Sequence, residues 1–187
     1  ESVVTITPTE TVTTVTEPPA PAVQELKVTD HVLTNPNYSL YESARIAIDN
    51  MNPLPLDILR DQLKHVTVAE DSKVLVLNSM EHAFALSQCY GVPHENITIQ
   101  TNNPAFARIA VKAKFKVYNA PNPLDLPDMK FDIVIGNPPY QENTGASNSK
   151  SIWHKFVQAA FDTCKDEGYV SLVHPGTWRL GKPLFKQ

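Results

Sequence analysis

Along the second half of the chain, apolar and polar positions fall into two alternating patterns. Lys73–Asn78 (KVLVLN) is a near-continuous apolar run, as a parallel strand covered on both faces requires. Ser79 can cap the helix that follows, SMEHAFALSQCYG, and Gly91 can end it in the left-handed position. Glu95–Gln100 (ENITIQ) reads as a second strand, and Asn103–Lys112 as a short helix with Pro104 in its first turn. Lys114–Asn119 (KFKVYN) and Phe131–Gly136 (FDIVIG) are the third and fourth strands. Ser151–Lys165 is an amphipathic helix that turns Ile152, Phe156, Ala159, Ala160 and Cys164 inward. Gly168–Pro175 (GYVSLVHP) is a fifth strand, and Thr177–Phe185 starts another helix. Strands alternating with helices predict an α/β fold with a mostly parallel sheet. Ligands of such sheets bind beyond the carboxyl ends of the strands. The positions to examine therefore follow Asn78, Gln100, Asn119, Gly136 and His174.

The first half is organised differently. Residues 1–29 form a Thr/Pro-rich tail or arm. Its first 24 residues carry seven Thr, three acids and no Lys or Arg. The Val/Thr alternation of Val3–Val15 has strand propensity, and Pro18–Pro21 reads as an extended linker. Residues 30–71 form a helical extension. Asn37 or Ser39 can cap a helix bearing Leu40, Ala44, Ile46 and Ile48, and Leu56–Lys64 makes a second, with Pro53 and Pro55 between them. Residues 72–187 are the α/β core.

Composition narrows the function. A formal charge of -4 argues against a binder that works mainly through many phosphate contacts, but leaves room for an enzyme that meets nucleic acid through one local surface. Cys89 and Cys164 make no disulfide framework and read as buried thiols. His82, His94, His154 and His174 show no metal-ligand spacing, so no metal is expected and each histidine reads as structural or exposed. No apolar run reaches the ~20 residues that span a bilayer, and there is no signal-peptide pattern, so a cytoplasmic setting is expected. The missing initiator Met and the end at Gln187 read as a fragment. There are 16 Pro against 6 Gly, and no glycine precedes Gly91. A site built on a glycine-rich loop must therefore lie late in the chain.

The chemistry concentrates after the fourth strand, in Ile135–Gln141 (IGNPPYQ). Pro138 and Pro139 fix two φ angles and remove two N–H donors, and they keep Asn137 out of the helical region. The Asn137 amide carbonyl and the Pro138 carbonyl can accept the two hydrogens of an exocyclic amine, while the Tyr140 ring stacks on the heterocycle that bears it.

Val134–Tyr140 (VIGNPPY), directly after an apolar strand, resembles the N6-adenine DNA methyltransferases with an Asn-Pro-Pro-Tyr motif. The longer phrase FDIVIGNPPYQ is similar to large type II and Eco57I-like restriction-modification methylases. Ile152–Phe156 opening a helix and Val173-His174-Pro175 ending a strand, with Trp178 nearby, keep the same order. The resemblance covers Lys73–Gln187. It implies a Rossmann-like class I methyltransferase core, incomplete at the C-terminus. It also implies S-adenosyl-L-methionine as cofactor and DNA as partner, recognised in part by a region outside this chain. Asn137, Pro138, Pro139 and Tyr140 would hold a flipped adenine. The cofactor half departs from the family pattern: no glycine follows the first strand, and uncharged residues follow the second. Asn78, Ser79, Asn102, Asn119 and Asp125 are the cofactor candidates. Lys150 and Lys155, in and beyond the polar loop Gln141–Ser151, could touch phosphates. Three readings stay open. The chain is an active adenine methylase, a non-catalytic methyltransferase-like module docked to a larger assembly through its N-terminal arm, or a methylase of RNA adenine or protein glutamine.

Overall fold

The computed structural model describes residues 54–141 and 150–175. The N-terminal arm, the Leu40–Ile48 helix, most of the polar loop after Gln141, and the Thr177–Phe185 helix with Trp178 lie outside these residues.

The elements follow in the order α1 (Leu56–Lys64), β1 (Val74–Leu77), α2 (Met80–Tyr90), β2 (Ile97–Thr101), α3 (Pro104–Lys112), β3 (Lys116–Asn119), β4 (Phe131–Gly136), α4 (Trp153–Thr163) and β5 (Cys164–Leu172). The sheet order is β3-β2-β1-β4-β5, and every strand pair in it is parallel. Two crossovers step outward from β1 to β3. The chain then returns to the other side of β1, so β1 and β4 are neighbours, with Leu77 opposite Gly136. Right-handed crossovers in opposite directions put their helices on opposite faces. Accordingly, Val74, Val76, Ile133 and Ile135 pack in one core with α1, α2 and α3 residues such as Leu59, Phe84 and Phe106. Leu75, Leu77 and Val134 pack in a second core with Ile152, Phe156 and Ala160 around α4. This two-sided burial is why β1 reads as VLVL with no polar residue.

Helix ends form where their capping chemistry lies. Ser79 caps α2 and Gly91 closes it at φ 74°. Asn103 caps α3 through Oδ1, which accepts from the N–H groups of Ala105 and Phe106, with Pro104 in the first turn.

Several boundaries differ from the sequence reading. β2 begins at Ile97 because His94–Asn96 winds into a 3-10 turn. β3 begins at Lys116 because Lys114 takes φ 71°. Lys112, Lys114 and Lys116 are all exposed, at a helix end, a turn and a strand start. The largest shift is at Cys164, which begins β5 instead of ending a helix. It pairs with Phe131, while Ile133 pairs with Tyr169, so the residues between form a bulge opposite Asp132. Lys165 Nζ reaches Asp132 Oδ1 at 2.6 Å there. β5 therefore starts earlier than Gly168 and ends at Leu172. Cys164 is buried as expected, and burial raises its thiol pKa against smaller opposing effects of a backbone hydrogen bond and Lys130; Cys89 is half-buried.

Candidate active site

All five strands run the same way, so their carboxyl ends share one rim. Asn78 follows β1, Asn102 and Asn103 follow β2, Asn119 ends β3, and Asn137 follows β4. The direction of chain progression reverses between β1 and β4, which is where a doubly wound sheet opens its binding crevice.

The loop after β4 is fixed from both sides. Gly136 has φ +155°, and a Cβ built there would lie 2.2 Å from the Leu77 carbonyl oxygen. Only glycine lets β4 approach β1 so closely. Asn137 N–H donates to that same oxygen at 2.9 Å, and Val173 N–H donates to Gly136 O at 3.0 Å. The Tyr140 carbonyl accepts from Ile152 N–H at 3.0 Å, and Gln141 bridges Ser151. Between these anchors, Pro138 is buried and Asn137 and Pro139 are half-buried. Tyr140 Oη–H donates to Asn137 Oδ1 at 2.9 Å. Burial raises the phenol pKa, so the hydroxyl stays a neutral donor. A carbonyl oxygen has two lone pairs, so Asn137 keeps one for another donor. Asn137, the Pro138 carbonyl and the Tyr140 ring thus sit on one rigid turn beside β1.

The turn after β1 is made without glycine. Asn78 takes φ 50°, the left-handed region that Asn enters more readily than other side chains. Its N–H donates to Gln100 O at 2.9 Å, and its Oδ1 accepts from Thr101 Oγ1 at 3.1 Å. Thr101 Oγ1 in turn accepts from Asn103 N–H at 3.1 Å, which joins the ends of β1 and β2. Asn102, Asn119 and Asp125 are exposed on or near this rim, Asp125 in the turn begun by Asn122. Ser79 is placed otherwise. It is 2% exposed and its hydroxyl faces inward, 2.7 Å from His82 Nδ1 and 3.1 Å from Glu81 Oε2. Its backbone, rather than its hydroxyl, is what it can offer a ligand.

Met80 and Phe84 are fully buried in the first core, with Phe84 edge-on to Phe115 at 5.4 Å. His82 is also fully buried, which pushes its pKa down to about 3.

An aromatic wall stands beside the Tyr140 loop. Trp153 opens α4 one residue after Ile152 and stacks on His174, centroids 5.2 Å apart and planes 15° apart, while His154 meets the indole edge-on. Sequence spacing gave no sign of this pairing, because it joins a helix start to the residues beyond a strand. Lys150 and Lys155 are exposed next to this wall. A cavity of about 520 Å³ lies at the opposite edge, where Thr67, Asp71, Lys73, Asp132, Lys165 and Tyr169 line the strand starts. Its polar groups bind one another, as in the Lys165–Asp132 pair and the Tyr169–Thr67 hydrogen bond, and it is remote from the strand-end rim. Among the described residues, no cluster of His, Cys, Asp and Glu could hold a metal ion, and no helix is long and apolar enough to cross a membrane.

Comparison with known proteins agrees with this architecture. A 56-residue stretch, 28% of this chain, is 38% identical to an "Uncharacterized adenine-specific methylase" of Mycoplasma pneumoniae and covers 13% of that protein. Among solved structures, coclaurine N-methyltransferase bound to N-methylheliamine and SAH superposes with a TM-score of 0.51 at 12% identity, over 64% of this chain and 34% of that one. The chain thus spans a minor part of both proteins. The likeness in structure establishes the fold, a Rossmann-like class I methyltransferase core with a parallel sheet. The model of the Eco57I restriction-modification methylases matches residues 56–186, nearly the whole α/β unit with its Asn-Pro-Pro-Tyr loop, and the chain belongs to that family.

Proposed function

We propose that this chain is the catalytic core of an S-adenosylmethionine-dependent methyltransferase that modifies the N6 amino group of an adenine flipped out of DNA. The observation that carries the reading is the Asn137–Tyr140 turn, held rigidly at the carboxyl end of β4 next to β1.

S-adenosylmethionine supplies an electrophilic methyl group carried on a sulfonium. The rim fits this cofactor through its backbone and its amides. Asn78 makes the tight left-handed turn that glycine usually makes, and Asn102, Asn119 and Asp125 offer hydrogen bonds to ribose and adenine. Asn137 Oδ1 and the Pro138 carbonyl accept the two N6 hydrogens, and so orient a nitrogen whose lone pair is otherwise delocalised into the ring. Tyr140 stacks on the base, exchanging its hydrogen bond to Asn137 for that contact or keeping it on the second lone pair. Positioning of this kind, with fixed acceptors in a desolvated pocket, supplies the rate enhancement without a covalent intermediate. Extruding the base costs a few kcal/mol, offset by stacking of about 1–3 kcal/mol per aromatic contact. Lys150 and Lys155 flank the loop where phosphates of the flipped strand would pass.

The test is transfer of labelled methyl to duplex DNA, compared with RNA and protein. Asn137→Ala should lower transfer by about 100–1,000-fold, the range for loss of one preorganised polar group. Label appearing only in RNA or protein redirects the substrate. Absence of cofactor binding at ~1 mM, a limit near -4 kcal/mol, makes the chain a non-catalytic module.

A further inference from the structure

Gln100 is a polar side chain inside the sheet. It stands near the carboxyl end of β2, opposite Leu77 of β1 and Tyr118 of β3, and is 1% exposed. An amide buried this deeply is costly unless it is hydrogen-bonded. Gln100 Nε2–H donates to the Pro123 carbonyl at 2.9 Å. The main-chain carbonyl of the same residue accepts from Asn78 N–H at 2.9 Å. Gln100 thus holds the turn after β1 through its backbone and the loop after β3 through its side chain.

The loop after β3 is short of donors. Pro121, Pro123 and Pro127 bring it no N–H. The Leu124 and Asp125 N–H groups are engaged within it, on Asn122 Oδ1 at 3.1 Å and Asn122 O at 3.0 Å. Leu124 and Leu126 pack beside Leu75 and Leu77 on the α4 face of the sheet. Apolar contact of that kind is non-directional, so it holds the loop down without fixing the heading of the exposed Asp125. The Gln100–Pro123 bond supplies the direction. Because β2 lies between β1 and β3, two strand spacings of about 4.8 Å set the ends of β1 and β3 roughly 10 Å apart, one on each side of Gln100.

We propose that Gln100 is a positioning residue for the cofactor, an inference that rests on the methyltransferase reading above. From beneath the rim it sets the gap between the Asn78 turn and the Pro123–Asp125 segment, and so shapes the adenosine side of the site without touching the ligand. Without its donor, the Pro123 carbonyl is free to turn toward water, and the segment bearing Asp125 takes orientations that do not fit the cofactor. The cofactor then binds only the aligned fraction, and its apparent affinity falls by that fraction. The Asn137–Tyr140 turn follows β4, across β1 from Gln100, so methyl transfer from bound cofactor keeps its rate.

The experiment is calorimetric binding of S-adenosylhomocysteine to the chain and to Gln100→Met, which keeps the side-chain length but has no donor. Kd should be about 3–10-fold higher for Gln100→Met, the effect of one net hydrogen bond. In transfer to duplex DNA, the KM for S-adenosylmethionine should rise by a similar factor, while kcat and the KM for DNA stay within about twofold. A merely structural role would lower the urea midpoint and leave Kd unchanged. Equal Kd values, or a loss carried by kcat instead, overturn the inference and leave the methyltransferase reading standing. No binding by the wild-type chain overturns that reading and the inference with it. If Gln100→Met does not fold, hydrogen exchange of the wild-type chain decides. Saturating S-adenosylhomocysteine should slow the Leu124 and Asp125 amides and the Gln100 side-chain amide together, by about threefold or more. Unchanged exchange at these groups overturns the inference.

Discussion

Gly136→Ala tests the idea that the candidate loop owes its position to close backbone approach. The new Cβ would meet Leu77 O at 2.2 Å, Leu77 N at 2.7 Å and Leu77 C at 2.9 Å. All three are main-chain atoms of β1 in the middle of the sheet, so no side chain can rotate away. Restoring an ordinary contact of 3.4 Å means parting β4 from β1 by about 1 Å at Gly136. That movement breaks the Asn137 N–H to Leu77 O bond, at about 1 kcal/mol net. Overpacking adds roughly 1–3 kcal/mol, and the strained φ adds about as much again. The total, roughly 3–7 kcal/mol, is a large share of the 5–15 kcal/mol typical of a domain. With a urea slope of about 2 kcal/mol/M, the unfolding midpoint should fall by about 1.5–3.5 M. Gly91→Ala is the control. It has φ +74° but meets only the flexible Glu70 side chain, at 3.4 Å or more, so it should cost about 1–2 kcal/mol, the left-handed penalty alone. If Gly136→Ala unfolds within about 0.5 M of wild type, or if Gly91→Ala is the more damaging change, steric approach is not what sets the loop.

Two further outcomes follow from the same geometry. Asn78→Gly keeps the left-handed turn and loses the bond from Thr101, a cost of about 1 kcal/mol, whereas Asn78→Val loses the bond and strains φ, for roughly 2–3 kcal/mol; equal urea midpoints for the two variants would refute this account of the turn. Burial tends to raise the Asp132 carboxyl pKa, but Lys165 Nζ at 2.6 Å and the Lys73 N–H at 2.8 Å outweigh it and hold the value below normal. A lowered acid stabilises the fold above its unfolded pKa, about 3.9, and that stability is lost as pH falls through the folded value. The advantage of wild type over Lys165→Met should be constant above about pH 4.5 and shrink below pH 4. Urea midpoints measured down to pH 2.5 test this, and an undiminished difference there contradicts it. The pair is half exposed, so the effect is small.

Much of this was legible in the sequence because local and global signals agree. β4 matches its predicted bounds because FDIVIG is apolar enough for a central strand and is closed by a proline pair. α2 and α3 match because Ser79, Gly91 and Asn103 place cap chemistry at the ends of apolar runs. Cys164–Glu167 misleads because the helical apolar pattern runs into it without a turn signal. Cys164 starts a strand only because Phe131 is there to pair with it, which is a tertiary fact. The Trp153–His174 stack and the hydrogen bonds between His82 and Gln62 and from Gln62 to the Ser171 carbonyl were not legible for the same reason. Each joins residues 20 or more apart whose spacing carries no period.

The scarcity of glycine was the chief sequence argument against a cofactor turn after β1. It assumed that positive φ needs glycine. Asn78 supplies φ 50°, and its side chain adds a hydrogen bond that glycine lacks. The turn it makes is stiffer than a glycine turn, since Thr101 holds the amide and Ser79 caps the next helix with a buried hydroxyl. Glycine is kept at Gly136, where the constraint is contact with main chain rather than φ alone. The sequence thus uses glycine where a Cβ has no room and asparagine where a side chain can share the turn. A rim of neutral amides at the ends of β1, β2, β3 and β4 is the consequence. Under the proposed function, such a rim would recognise the cofactor by hydrogen-bond direction more than by charge.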